Sequence, residues 1–327
     1  MNSRKFFALT ATTGLLAFGV AACGDDDTSS SDSGGDASGP TDISGSLRID
    51  GSSTVGPLST AVAEQFNAEN DGVEIAVGES GTGGGFEKFC AGETVINDAS
   101  RPIEAEEVAL CKDGGVDYEE VVVANDALTV VLNNENPVTC LTIDQLAQVW
   151  GPDAPVSSWA DVTDLDAEFS EDVERFGPGT DSGTFDYFSG AVNGEEGVQT
   201  KDYNNVGEDD NQTVTGVSGA PGGMGYFGFS FLLENEGKIV GLEIDSGDGC
   251  VPPSEETVQD GTYTPLARPL YIYPSADALA KPEVDAFLEY YLENVNEVAS
   301  ATGFIGLTDE QLSKSTKELE KLISAQG

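Results

Sequence analysis

Three times the chain passes from a strand-like run, through a short loop of glycines and hydroxyls, into a helix-like run. "SLRID" leads through "GSSTVGP" into "LSTAVAEQFNAEN", "VEIAV" through "GESGTGGG" into "FEKFCAGE", and "VERF" through "GPGTDSGT" into "FDYFSGAV". In the first helix-like run Leu58, Val62 and Phe66 share the spacing of one helical face. This β-loop-α rhythm predicts an α/β fold with a largely parallel sheet. "YEEVVVANDALTVVLN" has the β-branched content of a buried strand, "IDQLAQVW" reads as a helix, and "LARPLYIY" reads as a further strand. "KPEVDAFLEYYLENV" and "TDEQLSKSTKELEKLI" are expected to close the chain as helices, the last one facing solvent. No repeat of fixed period is present. The neighbourhoods of Asn125 and Pro265 are where the chain is expected to cross between lobes.

A chain of 327 residues with 39% hydrophobic content is long enough for about two domains. Its 59 acidic and 14 basic side chains give a formal charge of -45. That charge argues against nucleic acid or an anionic lipid surface as partner, since both need a cationic face, and it reads as a solvated acidic surface. Arg4 and Lys5 followed by the apolar run from Phe6 to Ala22 have the layout of an export signal. The run ends in "GVAAC", which resembles a bacterial lipobox. The resemblance implies a removed leader at 1–22 and a lipid on Cys23, followed by a polar, acidic tether to residue 44 without apolar periodicity. Four further cysteines, an even number outside the cytoplasm, favour two disulfides over metal ligation. No CxxC spacing and no His support zinc. Three connectivities are possible, and closeness in the chain favours Cys90–Cys111, leaving Cys140–Cys250.

Each of the three loops sits where a helix begins. A helix start carries unpaired N–H groups and a partial positive charge, glycine lets the main chain approach a ligand, and hydroxyls add rotatable donors. A single Ser or Thr ahead of a helix is most often only a cap. Three such starts in an α/β frame, where ligands sit at the carboxyl ends of strands, predict a site that surrounds an oxyanion with neutral donors. Arg101, in "NDASRPI", is the basic residue that stands out near these loops, and a guanidinium forks well onto tetrahedral oxyanions. Its plainer reading is a surface ion pair. With no His in the chain, a Ser-His-Asp hydrolase is excluded. Neither SxxK nor a metal-ligand cluster lies near the loops, "STKELEK" falls in the last helix, and no motif calls for a cofactor. "GMGYFG" matches G-x-G-x-x-G without the strand-to-helix context of a nucleotide site and no GK[ST] follows, so it reads as a glycine-spaced core segment.

"DGSSTVGP", "SGTGGGFEKFCAGE", "NDASRPI", "GPGTDSGTFDYF" and "GYFGFSF", in this order behind a lipobox-like leader, resemble the phosphate-binding proteins of bacterial phosphate ABC importers. The resemblance runs from about Leu47 to the C-terminus. It implies a two-lobed type II periplasmic-binding-protein fold, each lobe a mixed, mostly parallel sheet flanked by helices, with the ligand cleft between the lobes. The lobes are expected at 45–124 with 267–327 and at 125–266. Carried over residue by residue, Thr54 and Val55 are the expected contacts of the first loop, Thr82 of the second, and Ser182, Gly183 and Thr184 of the third, with Ser53 as an extra donor. Related proteins have an Asp where this chain has Arg101 and an Arg where it has Pro178. A related branch carries an "SRP" turn, so Arg101 is expected to supply the cation.

Phosphate near neutral pH carries a proton and sulfate none, so a carboxylate in the cleft favours phosphate; Asp181 is the expected acceptor. The implied role is a monomeric, lipid-anchored extracytoplasmic receptor, not an enzyme, that captures inorganic phosphate and delivers it to membrane permease subunits. Its membrane contact would be the lipid anchor alone. A receptor for sulfate or molybdate is the alternative, and a secreted phosphatase the remote one.

Overall fold

The computed structural model describes residues 43–324 apart from 154–155, 181 and 208. The expected leader, Cys23, most of the tether, and Asp181 lie outside the described residues.

The rhythm read from the sequence is visible from the first strand onward. β1 (Gly45–Gly51), α1 (Gly56–Glu69), β2 (Val73–Val77), α2 (Thr82–Cys90), β3 (Ile96–Ala99), α3 (Ala105–Gly114) and β4 (Val121–Asn133) come first. β5 (Cys140–Thr142), α4 (Ile143–Trp150), β6 (Glu174–Gly177), α5 (Gly183–Asn193), β7 (Asn204–Asn205), α6 (Asp210–Gly219), β8 (Gly223–Gly228) and α7 (Phe229–Glu234) follow. The chain ends with β9 (Ile239–Gly241), β10 (Glu243–Asp245), β11 (Cys250–Val251), α8 (Glu255–Gln259), β12 (Ala267–Pro274), α9 (Pro282–Ala301) and α10 (Asp309–Ser324).

The main sheet runs β2-β1-β3-β12-β4-β8-β6-β7, with β9 also on β4. β1 is parallel to β2 and β3, and β6 is parallel to β7 and β8. β12 and β4 run antiparallel to each other and to their neighbours, so the sheet is mixed. β4 is almost continuously buried, as its β-branched run predicts. It pairs with β12 over Val121–Ala127 and with β8 from Leu128 onward.

Three apolar clusters form the core. The first gathers Leu47, Val62, Phe66, Phe287 and Tyr291 with Val123, Ala124, Leu270 and Ile272. The second gathers Trp150, Trp159, Phe188 and Tyr226 with Ala127, Leu128, Val130 and Leu266. A small third cluster packs Phe86, Phe89 and Tyr273 around Cys90 and Cys111. Both β4 and β12 therefore change cluster along their length, at Asn125–Asp126 and between Leu266 and Leu270.

Both favoured disulfides are present: Cys90–Cys111 ties the end of α2 to α3, and Cys140–Cys250 ties β5 to β11. Helices α2 and α10 differ in detail from the sequence reading. α2 begins at Thr82 rather than near Phe86, because the glycines form its first turn: a Cβ on Gly85 would overlap Asn97 Oδ1 and the Gly51 main chain. The last helix does not face solvent all round. Ser315 is buried and donates to Val122 O at 2.7 Å, and Leu319 and Leu322 are buried, so α10 covers β4 with an amphipathic face. Among the described residues no helix is long and apolar enough to cross a membrane.

Candidate functional site

The three glycine-hydroxyl loops leave the carboxyl ends of β1, β2 and β6 and open α1, α2 and α5. None of these helices has a side-chain cap: the cap residues Val55, Gly81 and Ser182 accept no bond from the first turn through a side chain. Elsewhere Thr142 caps α4, Asp209 caps α6 and Ser254 caps α8 through their side chains, while α7 and α9 also begin without such a cap. The plain capping explanation therefore fails at the three loops. At α2 and α5 such a start presents its N–H groups and positive end outward. At α1, by contrast, Ser52 O accepts from the Val55 and Gly56 N–H groups, Ser52 Oγ accepts from Thr54 N–H, and Pro57 has no N–H, so the first loop offers hydroxyls.

Those starts meet. One cavity of about 340 Å³ is lined by Ser53 and Thr54 of the first loop, Gly81 and Thr82 of the second, and Gly183 of the third. An adjoining cavity of about 520 Å³ shares Ser53, Thr54 and Gly183 and adds Ser182 and Thr184. Gly81 has a φ of 81°, a left-handed backbone that favours glycine at the turn into α2. A Cβ on Gly183 would lie 3.9 Å from Thr54 Oγ1, so the first and third loops face each other. Ser100 N–H donates to Thr82 Oγ1 at 3.2 Å, which fastens the "SRP" turn to the second loop. Val55 is the expected contact that is not brought to either cavity. Its side chain is fully buried and its N–H donates to Ser52 O at 3.2 Å, closing the first loop on itself.

Two guanidinium groups line the first cavity, and their surroundings differ. Arg101 donates to both oxygens of Glu107, at 2.9 and 2.8 Å, and lies 3.2 Å from Glu104. The hydrogen bond it donates to Glu107, together with both carboxylate charges, raises its already high pKa. Arg268 of β12 was not anticipated. It donates through Nε to Asp126 Oδ2 at 3.2 Å and through Nη2 to Thr54 Oγ1 at 3.4 Å, and its carbon lies 3.6 Å from the centre of the Tyr187 ring. Burial pushes the Asp126 carboxyl up, and the charge and hydrogen bond of Arg268 oppose that without cancelling it. A signal for Arg268 was available: "ARP" at 267–269 places an arginine in a strand otherwise apolar or aromatic, echoing the "SRP" at 100–102. A separate cavity of about 480 Å³ beside Cys140–Cys250 is lined by Asp144, Asp164, Asp166 and Asp245 with no basic side chain, so it repels anions.

The model of the PBP superfamily domain matches residues 36–295. This chain belongs to the PBP superfamily. Within that superfamily it is 45% identical over 274 residues to protein SphX of Synechococcus elongatus, covering 83% of this chain and 80% of that protein. It is 32% identical over 326 residues to the phosphate-binding protein PstS of Staphylococcus saprophyticus, covering 99% and 96%. Among solved structures, a possible phosphate binding protein from Planctomyces limnophilus superposes with a TM-score of 0.80 at 40% identity, over 86% of this chain and 99% of that one. The α/β fold is thus the type II periplasmic-binding-protein fold of the superfamily. The PstS relative and the solved neighbour are named for binding rather than for a reaction, in line with a receptor and not an enzyme.

Proposed function

We propose that the chain is an extracytoplasmic receptor that captures inorganic phosphate in the cleft at Thr54, Thr82 and Gly183 and passes it to the permease of an ABC importer. The observation that carries this reading is the meeting, in one cavity beside Arg268, of three helix starts that no side chain caps. Neutral N–H and hydroxyl donors suit an oxyanion and give little purchase to a cation or an apolar ligand. The names of the PstS relative and the Planctomyces neighbour support phosphate as that oxyanion. Ser53, Ser182 and Thr184 are further proposed donors, and Val55 acts by holding the first loop closed.

The lobes are proposed at 45–124 with 267–327 and at 125–266, closing by a hinge through β4 and β12. In support, the core clusters change between Ala124 and Ala127 and between Leu266 and Leu270. Anchoring through Cys23 and delivery to the permease rest on the lipobox-like leader and the family resemblance.

Calorimetric titration of the purified chain with phosphate, sulfate and molybdate tests the reading. Saturable binding of phosphate in preference to the other two is expected. No heat with phosphate, or preference for another oxyanion, would contradict it. Release of phosphate from a generic ester would point to an enzyme instead. For the anchor, Cys23→Ser is expected to move the protein from the membrane fraction to the medium, and an unchanged distribution would contradict lipidation.

A further inference from the structure

Neither position where the resemblance places a charge partner for the anion is available for that role. By the resemblance, Pro178 stands at the position of the Arg of well-studied members, and Arg101 at that of their Asp. The Arg101 guanidinium, although it lines the first cavity, already donates to both oxygens of Glu107 and lies 3.2 Å from Glu104.

Arg268 is held differently. Thr54 of the first loop accepts from it at 3.4 Å, and Tyr187 of α5, four residues past the third loop's Gly183, lies under it at 3.6 Å. The hydroxyl of Tyr187 donates to Pro265 O at 3.1 Å, which fixes the ring. Among the described residues two bonds engage two of the five N–H donors of this guanidinium, and the group lines both cavities. Its carboxylate partner, Asp126, is only 13% exposed and lines the second cavity with Ser182 and Gly183. Arg268 and Asp126 are register partners on β12 and β4, where both strands pass between core clusters.

We propose that Arg268 is the cation that holds the phosphate and Asp126 the carboxylate that accepts its proton in a hydrogen bond, an assignment that rests on the phosphate reading above. A protonated phosphate oxygen donates to Asp126, whereas sulfate offers only lone pairs to the same carboxylate and is repelled. Arg268 adds charge-assisted hydrogen bonds to the other phosphate oxygens from a guanidinium already positioned by Asp126, Thr54 and Tyr187, so little ordering remains on binding. Because both groups sit on the crossing strands, the anion contacts the hinge itself as well as the loops.

The test is calorimetry with phosphate and with sulfate on the full chain and on Arg268→Gln, Arg268→Lys, Arg101→Gln, Asp126→Asn and Asp181→Asn. Each variant is first checked for a native circular-dichroism spectrum and melting curve. Arg268→Gln is expected to lose about 10- to 100-fold in phosphate affinity, the worth of charge-assisted hydrogen bonds, and more than Arg101→Gln. If Arg268→Gln does not fold, Arg268→Lys keeps the charge without the fork and is expected to lose about tenfold. Asp126→Asn is expected to lower the phosphate-to-sulfate ratio by about tenfold or more, because the amide can donate to sulfate, and to lower it further than Asp181→Asn does. A larger loss at Arg101→Gln than at Arg268, or an unchanged ratio in Asp126→Asn, would overturn the assignment while the phosphate reading stands. A wild-type chain that binds no phosphate would overturn both.

Discussion

Arg268 and Asp126 stand opposite each other in the β12–β4 ladder, with Arg268 Nε donating to Asp126 Oδ2 at 3.2 Å. On either side of this pair the chain buries apolar residues in different core clusters, Ala124 and Leu270 in one, Ala127 and Leu266, just ahead of β12, in the other. An ion pair at the junction leaves a polar break between two apolar cores. Under the proposed division into lobes, such a break would let the two lobes move relative to each other without exposing core.

The hydroxyls of the cleft and the hydroxyls that cap other helices are expected to separate in function. Thr142→Ala removes the side-chain bond to Gln145 N–H and is expected to cost about 1 kcal/mol of stability with phosphate affinity unchanged. Ser182→Ala is expected to do the reverse, leaving the denaturation midpoint near wild type and weakening phosphate binding about fivefold. Urea titration and calorimetry on both variants check this. Equal loss of stability in the two, with binding untouched, would return the loop hydroxyls to ordinary caps.

Gly85→Ala should be destabilising although it lies in a helix, where alanine is normally the better residue. Its Cβ would press on Asn97 Oδ1 and the Gly51 main chain, and overpacking of this kind costs about 1–3 kcal/mol. The displaced second loop should also weaken phosphate binding. A urea midpoint at or above wild type would contradict the close approach of α2 to β1.

Legibility followed locality. Helix α4 and strand β2 were read to the residue, because capping, periodicity and β-branching are properties of neighbours in sequence. Helix α3 passed unnoticed: it buries only Cys111, so no apolar stripe marks it. The three loops were legible because glycine and hydroxyl residues cluster in each. Arg268 was not, because its relation to Thr54 and Asp126 spans 214 and 142 residues of chain and exists only once β12 is threaded beside β4. Arg101 drew attention through its place in a loop, yet whether a guanidinium is already occupied depends on Glu107 and Glu104, on and ahead of a helix the sequence did not announce.

Stability should fall as pH rises toward mildly alkaline values. Asp98 is fully buried, accepts from Ser59 Oγ at 2.9 Å, and is pushed up to about 8 by desolvation. In the unfolded chain it titrates near 4, so between about pH 4 and 8 the folded form holds a proton that the unfolded form has lost. Unfolding then becomes easier by about 1.4 kcal/mol per pH unit for this group. Asp50 and Glu107, held below the usual carboxylate range, act only at lower pH. Melting curves between about pH 5 and 8 should slope downward in the wild type and flatten in Asp98→Asn. Parallel slopes in the two would contradict a protonated Asp98.

Phosphate affinity should rise with moderate salt. The formal charge of -45 repels an approaching anion, and the screening length shortens from about 30 Å at 0.01 M to about 10 Å at 0.1 M salt. The short-range donors are unaffected over that interval. Calorimetry in sodium chloride across it should show tighter binding at the higher end. Progressive weakening instead would mean that a local positive field dominates.

The most direct measurement is a crystal structure of the chain grown with phosphate. One tetrahedral anion is expected in the cleft, within about 3 Å of main-chain or hydroxyl donors from the loops at Thr54, Thr82 and Gly183 and of the Arg268 fork. An anion held by a single loop, or bound at Arg101 with Arg268 turned away, would contradict the convergence of three helix starts on one ligand.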